Sequence, residues 1–341
     1  MSIIPVEVPT GAIRYNTDSN KMECFNGTQW MEVAVSSPDL GKSTLSDNHG
    51  GVRGIFAGGA DPNHSNVIQA FNIATQGDSF DFGNLSAPRY YVMGCSSRTR
   101  AVWAGGSEGG GYVDTIEYST IATLGDAVAF GELVGPDRHN TGGGLSNQTR
   151  GLFMGGESPG KHSEIDYITI ASTGNSVNFG HLSADRASNA TFASPTRGIS
   201  AGGSEPTHVN TIDYVTIAST GNAQDFGDQS VSVYGGGGGG NATRGVMMSG
   251  YQHPTNLSTI QYVTIATRGN TQDFGDVTQQ RRYGATCSSP TRAVYCGGIN
   301  PNIDDRMDYI SIATTGNAVD FGNLFDHMYA QNNGCSSGHG G

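Results

Sequence analysis

The chain alternates short apolar runs with clusters of Gly, Ser, Thr, Asn and Asp, the pattern of β-strands joined by tight turns. The clearest example is Thr211–Gly227, TIDYVTIASTGNAQDFG, which recurs in close or looser copies. Anchored on the Phe that opens its closing Phe-Gly pair, the copies fall at Phe82, Phe130, Phe179, Phe226, Phe274 and Phe321, at spacings of 47 to 49 residues. A second anchor lies upstream, an Arg that opens an apolar run: Arg53, Arg100, Arg150, Arg197, Arg244 and Arg292. Five of those runs end in Gly-Gly and the fifth unit has Ser249-Gly250, so the repeat has six units.

Each full unit predicts four strands. In the sixth they are a, Tyr283–Ser288; b, Ala293–Cys296; c, Met307–Ala313; and d, Ala318–Phe321. Strand c, as in Ile212–Ile217, is apolar on both faces, as a sheet sandwiched between two others requires. Four-stranded sheets repeated at this period predict an all-β fold, a six-bladed β-propeller. The first unit lacks a strand a, but Tyr329–Ser337 matches Tyr283–Ser289 and Tyr90–Ser97 and is expected to supply it, closing the ring with the carboxy-terminal strand. The Gly-Gly at the end of b, the Tyr in c, and the Arg ahead of a at Arg89, Arg138, Arg186 and Arg282 resemble the kelch motif. Phe stands where kelch repeats place Trp, and the Thr-Gly-Asn turn departs from them, so the units are kelch-like and no kelch partner is carried over.

Residues 1–36 stand outside the repeat and 37–50 read as a Ser/Gly/Asp-rich linker, leaving 51–341 for the propeller. Gly11–Val33 predicts a three-strand meander, Ala12–Asn16, Lys21–Phe25 and Gln29–Val33, joined by turns at Asp18-Ser19-Asn20 and Asn26-Gly27. A sheet this small is marginal alone. Its text, GAIRYNTDSNKMECFNGTQW, resembles a segment that recurs in bacteriophage tail-fibre and other virion appendage proteins. That resemblance implies attachment or homotrimer formation, with Ile13, Tyr15, Phe25 and Trp30 as the oligomerisation or attachment residues, and it implies other phage tail proteins as partners and the virion as the location.

Composition narrows the chemistry. With 52 Gly in 341 residues, 14% charged residues and a formal charge of −12, the chain fits neither a helical protein nor a nucleic-acid binder, which carries a basic patch. No apolar run reaches membrane-spanning length and no secretory signal opens the chain, so no membrane insertion is expected. The five cysteines lack CxxC spacing and read as small core residues. Nothing implies a cofactor or a metal.

Alternating strand direction sends the a–b and c–d turns to one face, where Ser-Pro-Thr-Arg and Thr-Gly-Asn repeat monotonously. The b–c loops and d–a connections emerge on the other, and the b–c loops differ in length and chemistry, as recognition loops do on a rigid scaffold. Candidate binding residues there are His64, Tyr112, His162, His208, Tyr251, His253, Asn302 and Asp304. Aromatics beside amides and carboxylates suit a host-surface glycan or a protein rim. The six Arg that open strand b are expected to bond turn carbonyls, and the run Gly235–Gly240 to relieve crowding at the axis. No Gly-x-Ser-x-Gly elbow leading from a strand into a helix is expected in an all-β chain, and no His-Glu-x-x-His motif appears, so no enzyme is expected. The expected function is a phage tail-fibre or tail-tip protein that binds a host receptor through propeller loops. An intracellular kelch-like adaptor and a glycan-active propeller enzyme remain as alternatives.

Overall fold

The computed structural model describes residues 8–16, 21–32, 53–61, 63–109, 111–134, 142–157, 159–205, 207–326 and 334–336. Every regular element among them is a β-strand, and no helix there is long and apolar enough to cross a membrane. The chain divides into two compact units, Met1–Lys42 and Ser43–Gly341. The expected linker at 37–50 and the Asp18-Ser19-Asn20 turn lie outside the described residues.

The first unit holds an antiparallel meander of Ile13–Asn16, Lys21–Phe25 and Trp30–Glu32. Asn26 shapes the second turn by accepting the Thr28 and Gln29 amides on Oδ1, both at 2.9 Å, which is the Asx geometry that favours Asn there. The register pairs Ile13 with Cys24, Tyr15 with Met22, and Cys24 with Met31, which gathers these five on one face. The other face carries Arg14, which bonds Glu23 at 2.8 Å and covers Trp30 at 4.2 Å, with Phe25 5.3 Å beyond. The four expected attachment residues therefore fall on opposite faces: Ile13 and Tyr15 on one, Phe25 and Trp30 on the other.

The second unit contains six four-stranded antiparallel sheets. In chain order the second to sixth run Met93–Ser96 to Val128–Glu132, Gly143–Ser146 to Val177–His181, Ala190–Ala193 to Gln224–Asp228, Gly237–Gly240 to Gln272–Asp276, and Ala285–Ser288 to Val319–Asn323. The first is composite. Arg53–Asp61, Asn63–Asn72 and Phe80–Asn84 are joined by Cys335–Ser336, which pairs with Ile55 and Gly54. Those two strand residues are what is described of the expected closing strand, since 327–333 and 337–341 lie outside the described residues. In the sixth sheet strand a begins at Ala285 and c ends at Ser311, both shorter than expected, because Tyr283 and Gly284 turn into the sheet and Ile312 and Ala313 turn out of it.

Apolar side chains lie between the sheets. Six buried clusters each join two neighbouring sheets, such as Phe192, Ile199, Phe226, Met247 and Ile265 between the fourth and fifth, and Phe56, Phe71, Cys287, Val294 and Phe321 between the sixth and first. The Phe-Gly pair explains itself here. Each c–d pairing slips by one residue at the Phe, turning that ring into the core, and the Gly lets the next sheet's turn approach. A Cβ on Gly227 would sit 2.5 Å from the Gly269 carbonyl oxygen, and its φ of 146° excludes a side chain independently.

Five of the six repeated arginines stack on the Tyr of strand c, as Arg244 does at 4.4 Å over Tyr262, while Arg53, whose strand c has no Tyr, lies 6.0 and 5.9 Å from the Phe80 and Phe82 rings; all six donate to carbonyls of the next sheet. Arg53 reaches Ile121, Arg100 Ile170, Arg150 Ile217, Arg197 Ile265, Arg244 Ile312, and Arg292 returns to Ile73, at 2.6 to 3.2 Å. The contacts thus run from the first sheet to the sixth and back to the first.

Three arginines ahead of strand a are fully buried: Arg89, Arg186 and Arg281. They pair with Glu117, Asp213 and Asp308 of strand c in the same sheet. Arg281, and not the expected Arg282, holds this place in the sixth sheet; both fit the motif, and only the register of Ala285–Ser288 separates them. Asp166 occupies the carboxylate position in the third sheet, while Arg138 lies outside the described residues. In the fifth sheet the position opposite is Gln261, and Val233 stands where the Arg would be.

Candidate functional site

The first strands of the six sheets, Cys335–Ser336, Met93–Ser96, Gly143–Ser146, Ala190–Ala193, Gly237–Gly240 and Ala285–Ser288, touch one another in order. Between them is a space of only about 60 Å³. Glycines allow that closeness: a Cβ at Gly238 would lie 2.6 Å from the Thr191 nitrogen, which accounts for the run Gly235–Gly240 without a phosphate. Cys95 and Cys335 line the same space, and burial pushes the Cys95 thiol up.

At one end of these strands, four of the connections entering a sheet are zipped to the b–c loop of that sheet by a two-way backbone bridge, the connections into the first and third sheets lying outside the described residues. The bridges are Tyr90 with Ser107, Ala187 with Ser204, Tyr234 with Tyr251, and Arg282 with Ile299. The residue after each bridge, Tyr91, Ser188, Gly235 and Tyr283, has φ between 59° and 67°. A large aromatic side chain seldom takes that left-handed conformation, which costs roughly 1–2 kcal/mol, so Tyr91 and Tyr283 are held there by their surroundings.

Those surroundings are other rings. His64 lies 4.3 Å from Tyr90, Tyr90 4.4 Å from Tyr91, and Tyr91 5.8 Å from Tyr283. Tyr283 continues to Tyr234 at 6.0 Å, Tyr234 to Tyr251 at 5.3 Å and to His208 at 4.4 Å, and Tyr251 to His253 at 6.1 Å. Arg282 lies over Tyr251 at 4.5 Å and Tyr283 at 5.5 Å. Gly235 makes room for Tyr283, whose ring would be 2.7 Å from a Cβ at that position. Five sheets thus contribute to one continuous, half-buried aromatic crown. Its rings meet tilted or edge-on, which fixes them against one another as a frame.

Electrostatics favour neutral rings beside a fixed cation. Burial, reinforced by Tyr91 and Tyr234, pushes the Tyr283 phenol up, so it stays protonated at neutral pH. Burial, then the charges of His253 and Lys161, holds the His208 imidazole below its usual value. Among the described residues no group of three or more His, Cys, Asp or Glu could hold a metal ion.

No known protein family matches the chain, and no curated protein matches it.

Of the expected binding residues, His208, Tyr251 and His253 meet in the crown, with the Tyr251 hydroxyl 3.3 Å from His253 Nδ1. His64 joins its far end, accepts the Gly109 amide at 3.2 Å, and lines an open cleft of about 460 Å³ with Pro88 and Glu108. The others hold their own loops. Tyr112 pairs with Ser107 in a small hairpin, His162 faces Glu164 at 3.5 Å, the Asn302 carbonyl accepts the Asn300 amide, and Asp304 accepts the Arg306 amide at 2.9 Å. Tyr90, Tyr91, Tyr234, Arg282 and Tyr283 are absent from the sequence-based set, because that set was drawn from the b–c loops and these lie on the connections. A signal existed: the position after the buried Arg, or after Val233 in the fifth sheet, reads Tyr90, Ala187, Tyr234 and Arg282, as varied as the loops themselves.

Proposed function

We propose that the six sheets are the blades of a kelch-like six-bladed β-propeller closed by the carboxy-terminal strand, and that the aromatic crown is its recognition surface. The cyclic order of Arg-to-carbonyl contacts supports the first part. The crown supports the second, because a repeat that needs only scaffold would keep these positions uniform, as it keeps the opposite face. On this reading the chain is a bacteriophage virion protein, a tail-fibre or tail-tip component. Its amino-terminal meander anchors it to other tail proteins or to two further copies of itself, and its crown binds a glycan on the host surface. Ring faces stack on pyranose C–H surfaces while phenols and amides read hydroxyls. Trimeric display would turn weak single contacts into useful avidity.

A binding role suits the carboxylates as well. Glu108 lies 3.8 Å from buried Arg89 and Asp304 accepts the Arg306 amide, so both already serve as structural partners, which supports a binding role over acid–base chemistry. The observation that carries the proposal is the crown, and whole-cell binding tests it. Tyr251→Ala with Tyr283→Ala should abolish adsorption to host cells while the urea transition stays cooperative and the far-UV circular dichroism unchanged, which separates loss of the crown from unfolding. Undiminished adsorption by the double variant rejects the crown as the receptor surface.

A further inference from the structure

The crown is chemically lopsided. Toward His64 it is tyrosine and imidazole, whereas toward the sixth sheet it holds Arg282, whose guanidinium lies against Tyr251 and Tyr283. Among the described residues no carboxylate lies within 4 Å of that guanidinium, and its side chain makes one long hydrogen bond, from Nη1 to Asn256 Oδ1 at 3.3 Å. Nε is covered and unsatisfied. By contrast the arginines buried beneath, Arg89, Arg186 and Arg281, each hold a carboxylate. Lys161 adds a second cation near His208, its ammonium 2.5 Å from Ser204 Oγ. In a chain of net charge −12, a half-buried cation with a neutral partner and unfilled donors is costly to keep unless something charged completes it.

We infer that the Arg282 end of the crown is a subsite for a carboxylate-bearing sugar, a uronate or similar acidic residue of a surface polysaccharide, its ring on the tyrosines and its carboxylate on Arg282. The inference rests on the glycan reading above and narrows it to one class of saccharide. Geometry favours a planar anion: the guanidinium is stacked and so fixed in plane, its Nε is covered and its Nη1 bonds Asn256, which leaves the Nη2 end to meet a carboxylate. The His208 imidazole alongside, held below its usual value by burial, reads hydroxyls without adding charge.

The test uses the full chain and a panel of matched trisaccharides containing glucuronate, galacturonate or mannuronate, each beside its neutral and its phosphorylated counterpart. Titration calorimetry should show the best uronate bound about tenfold or more tighter than its neutral twin at low salt, with the margin shrinking as salt screens the pair. Arg282→Gln should erase the margin and leave neutral binding in place; an unchanged urea midpoint shows that the fold is intact. Equal binding of acidic and neutral sugars by the wild type, or a margin that survives Arg282→Gln, overturns the subsite while the glycan reading stands. Preference for the phosphorylated sugar overturns the carboxylate assignment. No binding of any saccharide, with cell adsorption still lost in the tyrosine double variant, overturns both.

Discussion

Removing the buried carboxylate of the fourth sheet gives the sharpest test of how this scaffold is held together. Asp213 is 0% exposed and Arg186 1%, and the two are ion-paired. Asp213 also accepts the Ser183 amide at 3.0 Å and its hydroxyl at 2.8 Å, while Arg186 donates to the Thr211 carbonyl at 3.1 Å. Asp213→Ala leaves a guanidinium buried without its counter-charge and an amide without its acceptor, and should cost about 3–5 kcal/mol. The chain itself supplies the control. In the fifth sheet the same two places hold Gln261 and Val233, and Gln261 accepts the Ser230 amide and hydroxyl, both at 2.9 Å. The double variant Arg186→Val with Asp213→Gln should therefore return to within about 1–2 kcal/mol of wild type, because no charge is left buried and the Ser183 bonds keep an acceptor. It will not recover fully, since Gln261 has a further bond from Thr271 at 2.5 Å and the equivalent residue, Ala223, has no hydroxyl. Equilibrium urea unfolding followed by tryptophan fluorescence measures all three proteins. A single-variant loss below about 1 kcal/mol, or a double variant as unstable as the single, would refute the argument.

Other outcomes follow from the same geometry. Ser188→Gly, at φ 59° beside its counterpart Gly235, should raise stability by about 0.5–1 kcal/mol in the same assay. Below its usual value of 6.5, the His208 imidazole takes its proton later in the folded than in the unfolded protein. Stability should therefore be complete above about pH 6.5 and decline as pH falls through the folded value, and His208→Gln should flatten that part of the urea-midpoint profile. Of five thiols, Cys95, Cys287, Cys296 and Cys335 are pushed up by burial, Cys287 to about 12. A thiol reagent at pH 8 should therefore titrate Cys24 rapidly and the other four only on unfolding. Deleting residues 334–341 unpairs the Arg53–Asp61 edge and removes the Ser336 carbonyl that Ser96 Oγ bonds at 2.9 Å, and should produce aggregation visible by light scattering.

Strand content, the sixfold period and the Phe-Gly and Arg anchors were all readable along the chain, because each depends on neighbours a few residues away and is repeated six times. Even the origin of the first sheet's missing strand was legible, since Cys335–Ser336 copies Cys95–Ser96 and Cys287–Ser288. The division of the meander into an Ile13, Tyr15, Met22, Met31 face and a Phe25, Trp30 face was also present in its two-residue alternation, yet an attachment set chosen by residue type mixed the two. Adjacent arginines show a different limit. Arg281 and Arg282 satisfy one motif equally, and only the register of the following strand sends the first inward to Asp308 and the second outward to Tyr251. The crown lay further from reach. Its members span positions 64 to 283 and come from five sheets, and they meet because inner strands packed through glycine bring their entrances together. Local alternation of apolar and polar residues determines which segments become strands and which way each side chain points. Which rings and which cation share one surface is decided by the packing of distant sheets against each other, a property no single repeat contains.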